Sequence, residues 1–167
     1  INLSALYAEL STALVNVRLE ARTLPHNRQQ QRFLNGKTVL VVEDFDINRD
    51  IMTGQLRRHG LQVLEASDGD EAIQKATHPN LRLILMDIQM PGIDGIAAIQ
   101  AIRTLPVGAR LRILAFTASA DQPTHQRAMA AGANGVLVKP LSDKELITAI
   151  YEALITLDAP VMAPPTA

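Results

Sequence analysis

Four places in this 167-residue sequence put chemically capable side chains directly at the end of short apolar runs: Glu43-Asp44, Asp87, Thr117 and Lys139-Pro140. A carboxylate at the end of a buried strand is unfavourable unless a partner compensates it. Several carboxylates crowded on an apolar sheet repel one another and take up protons rather than stay ionised. A hard dication resolves that conflict. Magnesium takes six oxygens and keeps several waters, so a few carboxylates, a backbone carbonyl and an incoming phosphoryl oxygen suit it. An ionised Asp87 can then attack phosphorus and form an aspartyl phosphate. Charge on the transferring group spreads over its equatorial oxygens, where the Lys139 ammonium and the Thr117 hydroxyl can meet it. On this reading Asp87 is a nucleophile beside a metal.

These residues need elements that bring them together. Five short runs, "TVLVVE" (38–43), "LQVLEA" (61–66), "LRLILM" (81–86), "RILAF" (112–116) and "GVLV" (135–138), have the composition of buried parallel strands. Helix-length segments separate them. Asp46 reads as the cap of a helix to about His59, with Gly60 as its stop. Asp68 with Glu71 opens a helix to about Thr77, Asp94 one to about Thr104, and Ser119 or Asp121 one to about Ala131. Ser142 and Glu145 form a capping box before Leu146, Ile147, Ile150, Leu154 and Leu157 on one helical face. Residues 37–157 thus read as five βα units: an α/β chain with a parallel five-stranded sheet covered by helices on both faces. The ligand site of such a sheet lies outside the carboxyl ends of its strands, where the four places above fall. The second strand, ending in Glu65-Ala66, is expected at the periphery.

Composition narrows the classes. Apolar residues make up 47% of the chain but aromatics only 3%, so the core is built from Ala, Val, Ile, Leu and Met. A net charge of −1 gives no electrostatic footprint for nucleic acid or for direct membrane contact. With no cysteine, disulfides, thiolate zinc sites and a cysteine nucleophile are excluded. No apolar run is long enough to span a bilayer, and a cytoplasmic location is expected. Residues 1–36 stand outside the βα pattern. Leu3, Leu6, Leu10, Leu14 and Val17 make 3–22 an amphipathic helix, read either as a linker helix or as a dimerisation helix. Residues 158–167 read as a Pro/Ala-rich linker tail. The start at Ile1 suggests a piece of something longer.

The stretches "VLVVEDFDINRDIM", "LILMDIQMPGIDG", "ILAFTASA" and "GANGVLVKP" resemble the receiver (response-regulator) domains of two-component signalling, over roughly residues 37–157. The resemblance implies a flavodoxin-like (βα)5 fold and an Asp87 that accepts a phosphoryl group from a phosphohistidine, on a histidine kinase or a histidine phosphotransfer domain in cis or in trans. It implies Mg²⁺ held by Glu43, Asp44, Asp87 and the backbone carbonyl of Gln89. Thr117 matches the switch hydroxyl and Lys139 the phosphoryl-binding lysine, with the bond to Pro140 cis. The domain would catalyse its own phosphorylation and autodephosphorylation, and the linkers on both sides resemble a receiver embedded in a hybrid sensor histidine kinase.

Two departures matter: Glu43 stands where Asp is commoner, and Val136 where many receivers carry Tyr or Phe. Val136 is too small to move inward as that ring does, which favours an alternative: a receiver-fold interaction module that signals by docking. Gln89 and Ser119 are read as tuning water access to the phosphoryl group, and Pro91-Gly92 as shaping the loop that carries Gln89. An Asp-nucleophile hydrolase would need a second acid two residues after Asp87, where Gln89 sits. Alone, Asp87 would be a helix cap, Lys139 a surface lysine and Thr117 a helix-entry residue; their conjunction carries the reading. The scattered His26, His59, His78 and His125 read as solvated surface residues.

Overall fold

All five apolar runs form strands of one parallel sheet: β1 (Thr38–Val42), β2 (Gln62–Ala66), β3 (Leu81–Asp87), β4 (Arg112–Thr117) and β5 (Gly135–Val138). The structure is a computed structural model that describes residues 28–158. The readings on residues 3–22, on His26 and on the tail 159–167 lie outside the described residues. The chain divides into two compact units, residues 1–34 and residues 35–167. Of the first, 28–34 are described and are helical. The sheet belongs to the second.

Spatial order is β2-β1-β3-β4-β5, the flavodoxin-like arrangement. The chain leaves β1 toward one edge, returns past it to β3 and continues toward the other edge. The topological switch point therefore lies between β1 and β3, where an open α/β sheet leaves a crevice at its carboxyl edge. Register brings the strand ends level there: Val42 pairs with Ala66 and Met86, Asp87 with Phe116, and Thr117 with Val138. The interior strands β1, β3 and β4 are buried almost throughout, whereas edge strands β2 and β5 are half-exposed. That is why the three central strands read as largely apolar runs, with Arg82 of β3 as the exposed exception.

The helices are α1 (Asp46–Arg58), α2 (Gly69–Lys75), α3 (Gly95–Thr104), α4 (Gln122–Ala131) and α5 (Asp143–Asp158), with a 3-10 turn at Gly108–Arg110. Side chains alternate across the sheet. Leu40, Val42, Ile84, Met86, Ile113 and Ala115 face one core with the apolar stripes of α3 and α4. Val39, Val41, Leu83, Leu85, Leu114 and Phe116 are buried on the other face, which α1 and α5 cover.

Most helix starts follow local capping chemistry. Asp94 accepts from the Ala97 N–H at 2.8 Å and Asp121, rather than Ser119, from the Thr124 N–H at 2.7 Å. Ser142 and Glu145 exchange reciprocal bonds at 3.2 and 2.8 Å. The exception is α1. Its N-cap is Phe45, which makes no side-chain cap bond, and Asp46 is the first helical residue. The expected Asp46 cap is thus corrected: its carboxylate turns along the first turn to Arg49.

At α2 the Glu71 N–H is capped by Asp68 at 2.8 Å, while the Glu71 carboxylate takes Lys75 at 2.6 Å and the Ser67 N–H at 2.7 Å. The Lys75 bond, then the Ser67 N–H, hold this carboxyl at about 2, against an ordinary 4.5. A depressed carboxyl stabilises the fold above its ordinary value, and that stabilisation fades as pH falls toward the folded value. Glu71→Gln is therefore expected to lower the urea midpoint at pH 7 and to leave it near that of the wild type at pH 2. An equal loss at both pH values would contradict this role.

His59 also departs from its expected solvated state. It sits at the C-cap of α1, half-buried, with Nε2 at 2.7 Å from the Asp143 carboxylate on α5. The partner lies 84 residues away, beyond any local spacing signal.

Candidate metal and phosphoryl-acceptor site

At the crevice between β1 and β3 the chain gathers five of the residues singled out from sequence. Glu43 leaves the end of β1 and is buried, Asp44 follows it and is exposed, and Asp87 closes β3 and is buried. Each offers a carboxylate oxygen within 4.8 Å of the others. Lys139, directly after β5, reaches across: its ammonium lies 2.9 Å from Glu43 Oε2 and 3.2 Å from Asp87 Oδ2. Thr117, at the end of β4, is buried and accepts from the Ser119 N–H at 3.0 Å. Its own carbonyl takes the Lys139 N–H at 2.8 Å, which ties the two strand ends together. The Lys139–Pro140 peptide bond is cis.

The remaining oxygens of the buried acids are held by backbone. Asp87 Oδ1 accepts from the Gln89 N–H at 2.9 Å, and Glu43 Oε1 from the Phe45 N–H at 3.2 Å. Those bonds orient both carboxylates without neutralising them. One ammonium against three carboxylates leaves an excess of negative charge in a half-buried pocket, and opposite charge is what such a cluster lacks. For Lys139 burial pulls the ammonium's pKa down, but the hydrogen bond to Glu43 and the charges of Asp87 and Glu43 outweigh it, and the net direction is upward. The donor set, all hard oxygen, fits a divalent cation of the magnesium type.

The loop from Ile88 to Asp94 owes its course to small residues. Gly92 adopts φ +80°, open to glycine at no steric cost. Gly95 opens α3 directly under the end of β3 and donates to the Ile88 carbonyl at 3.1 Å. A Cβ there would meet the Asp87 carbonyl oxygen at 2.1 Å and the Ile88 Cα at 2.7 Å, both backbone atoms. Gly95→Ala must therefore move either the α3 N-terminus or the peptide beside Asp87. The expected cost is about 1–3 kcal/mol of stability, with phosphoryl uptake impaired at temperatures where the variant is still folded. Unfolding midpoints together with uptake assays check both; a neutral Gly95→Ala would contradict the close approach.

Other singled-out residues fall around this centre. Ser119 is engaged through its hydroxyl with the Asp121 carboxylate at the cap of α4. Val136 is half-buried and packs on the α3–α4 side of the sheet. Phe116, one residue before Thr117, points to the opposite face and lines a mainly apolar cleft of about 320 Å³. That cleft opens beside the site, with Glu43 and Lys139 on its wall and Ile51, Met52, Pro140, Leu141 and Leu146 around it. The sequence reading passed over Arg49, whose guanidinium donates to the Glu43 carbonyl at 2.9 Å. Only its place one helical turn past the acid pair could have signalled it.

Comparison with known proteins points the same way. The family model described as the response regulator receiver domain matches residues 39–151. The chain is 38% identical over 128 residues to the autoinducer 2 sensor kinase/phosphatase LuxQ of Vibrio vulnificus, covering 76% of this chain but 15% of that protein. Among solved structures it is similar to the receiver domain of sensor histidine kinase PA1611 from Pseudomonas aeruginosa, which has a magnesium ion coordinated in its active-site cleft. That match has a TM-score of 0.66 and 35% identity, over 72% of this chain and 98% of the other. It is also similar to a chain in the Saccharomyces cerevisiae co-crystal structure of the histidine phosphotransfer protein Ypd1 with the receiver domain of Ssk1. There the TM-score is 0.69 and the identity 32%, over 74% and 92% of the two chains.

Proposed function

The chain belongs to the response regulator receiver domain family, and from that premise we propose that it is a phosphorelay acceptor whose Asp87 takes a phosphoryl group from a phosphohistidine. The observation that carries this reading is the Lys139 ammonium poised between Glu43 and Asp87 at the switch point of the sheet. Glu43, Asp44, Asp87 and the Gln89 carbonyl would hold Mg²⁺, which supplies charge neutralisation for the carboxylates and the phosphoryl oxygens.

The chain's own groups do the rest. The Asp87 carboxylate attacks phosphorus, the P–N bond to the donor imidazole breaks, and the imidazole leaves with the electron pair and takes up a proton. The Lys139 ammonium moves with the phosphoryl oxygens as charge develops on them. Thr117 gives up its bond from the Ser119 N–H and donates its hydroxyl to the aspartyl phosphate. That displacement is the local event by which phosphorylation biases the domain between two states.

The donor must present its histidine at the crevice. Phe45, Ile47 and Ile51 are exposed at the start of α1, and Ile51 also lines the apolar cleft, a surface suited to a helical, histidine-bearing partner. The likeness to the receiver found with Ypd1 supports that class of partner. The kinship with LuxQ supports an origin in a hybrid sensor kinase, and a cytoplasmic setting goes with it. Among the described residues no helix is long and apolar enough to cross a membrane.

One observation favours a second reading. Val136, packed against the core, provides no ring to follow Thr117 inward, so the domain would act as a docking module with little phosphorylation-dependent switching. Phosphoramidate, whose P–N bond mimics phosphohistidine, separates the two. Incubated with the full chain and Mg²⁺, it is expected to add one phosphoryl group by intact mass, and a chelator is expected to prevent it. No adduct on rapid quenching, with Mg²⁺ binding confirmed, would leave docking as the better account.

A further inference from the structure

Asp44 is the exposed member of the carboxylate cluster, and its side chain makes no hydrogen bond or ion pair among the described residues. Its aim is therefore set by the backbone that carries it. That backbone is closed on itself over residues 43–49. The Phe45 N–H donates to Glu43 Oε1 at 3.2 Å, and the Arg49 N–H donates to the Phe45 carbonyl at 3.0 Å. The Arg49 side chain completes the ring, with Nη1 donating to the Glu43 carbonyl at 2.9 Å.

Arg49 is itself fixed. Its side chain is only 16% exposed, its Nη2 pairs with Asp46, and its Nε lies 3.7 Å from Glu65 on β2. The guanidinium thus spans the ends of β1 and β2, with two N–H groups hydrogen-bonded and its Nε side facing the Glu65 carboxylate as an ion pair. A lysine ammonium on a flexible stem lacks that planar fork.

We propose that Arg49 is a positioning residue for cation binding: by clamping the Glu43 carbonyl it holds Asp44 where the three carboxylates can share one ion. The assignment rests on the cation-dependent reading of the site above, and it concerns binding rather than the chemical step. Arg49 touches neither the cation's carboxylates nor a phosphoryl group. Its removal acts through the main chain, as the groups behind metal ligands do, where substitution typically lowers affinity about 10–100-fold.

The test is calorimetric titration of the full chain with Mg²⁺ alone, beside phosphoryl uptake from phosphoramidate at graded Mg²⁺. Arg49→Met is expected to weaken Mg²⁺ binding by about tenfold or more, with uptake recovering once Mg²⁺ saturates. Arg49→Lys, which keeps the charge but not the fork, is expected to retain most of the defect. Arg57→Met removes another α1 arginine, whose side chain has Glu65, at 3.5 Å, as its only hydrogen-bond partner among the described residues. It is expected to bind Mg²⁺ as the wild type does.

Unchanged Mg²⁺ affinity in Arg49→Met overturns the assignment. So does full rescue by Arg49→Lys, which would make Arg49 a simple counter-charge. Loss of helical circular dichroism in Arg49→Met, with normal affinity in a folded Arg49→Lys, overturns it too. Wild-type chain that binds Mg²⁺ but takes no phosphoryl group would sink the acceptor reading and leave the Arg49 comparison intact.

Discussion

Asp87→Asn is expected to abolish phosphoryl uptake while leaving the domain folded. The amide keeps an oxygen for the Gln89 N–H, which Asp87 Oδ1 now accepts at 2.9 Å, so the turn after β3 keeps its bond. What disappears is the anionic oxygen that would attack phosphorus from the end of β3. Glu43 has both oxygens engaged by Phe45 and Lys139. Loss of a nucleophile typically lowers rate by a thousandfold or more, on the order of what catalytic-group deletions show elsewhere. Stability should hold or rise, since one buried carboxylate is removed from a mutually repelling cluster and Lys139 retains Glu43. Uptake assays and urea midpoints read the two effects separately. Residual uptake near the wild-type rate would place the acceptor on another residue.

Lys139→Met is the second large effect, and it separates stability from chemistry. Without cation, the ammonium is the counter-charge to two carboxylates whose side chains are only 3% and 7% exposed. Removing one partner from a buried pair costs about 3–5 kcal/mol. Lys139 is itself 28% exposed, so the low end, about 3 kcal/mol, applies. Mg²⁺ should restore much of that stability by replacing the lost charge. Phosphoryl uptake should not recover with it, because the ammonium that meets the developing charge is gone; a loss of about 100-fold is expected.

The pH dependence has a definite sign. The raised Lys139 pKa means its stabilisation is fully present below the ordinary 10.5 and is lost as pH rises through the folded value. The gap between wild type and Lys139→Met should therefore be constant around neutrality and close as pH rises into strong alkali. A gap that closed on acidification from pH 7 to 6 would contradict the pairing.

Much of this is legible in the amino-acid sequence. The five strands could be read because β1, β3 and β4 are covered on both faces and so are mostly apolar between their ends, and because Gly, Pro, Asp and Asn punctuate them. Caps at Asp68, Asp94, Asp121 and Ser142 could be read because capping is decided within four residues. The convergence of Glu43, Asp44, Asp87 and Lys139 followed from parallel topology alone, since every βα unit delivers its strand end to the same edge.

What escaped the sequence depended on side-chain competition or on distance. Asp46 looked like a cap, yet Arg49 claims its carboxylate and Glu43 takes the Phe45 N–H. His59 looked solvated, yet the fold carries Asp143 to it from another helix. Arg49 carried no motif signal because its work is done on a backbone carbonyl, which every residue possesses.

The most direct test of the central claim is to find the phosphoryl group. The chain would be treated with phosphoramidate and Mg²⁺, reduced at once with borohydride, digested and sequenced by mass spectrometry. Borohydride converts an aspartyl phosphate to homoserine at the residue that bore it. Homoserine at position 87 alone, absent without Mg²⁺, is the predicted result. Homoserine at any other aspartate, or at none while the intact protein carries the added mass, would contradict the assignment of Asp87 as acceptor.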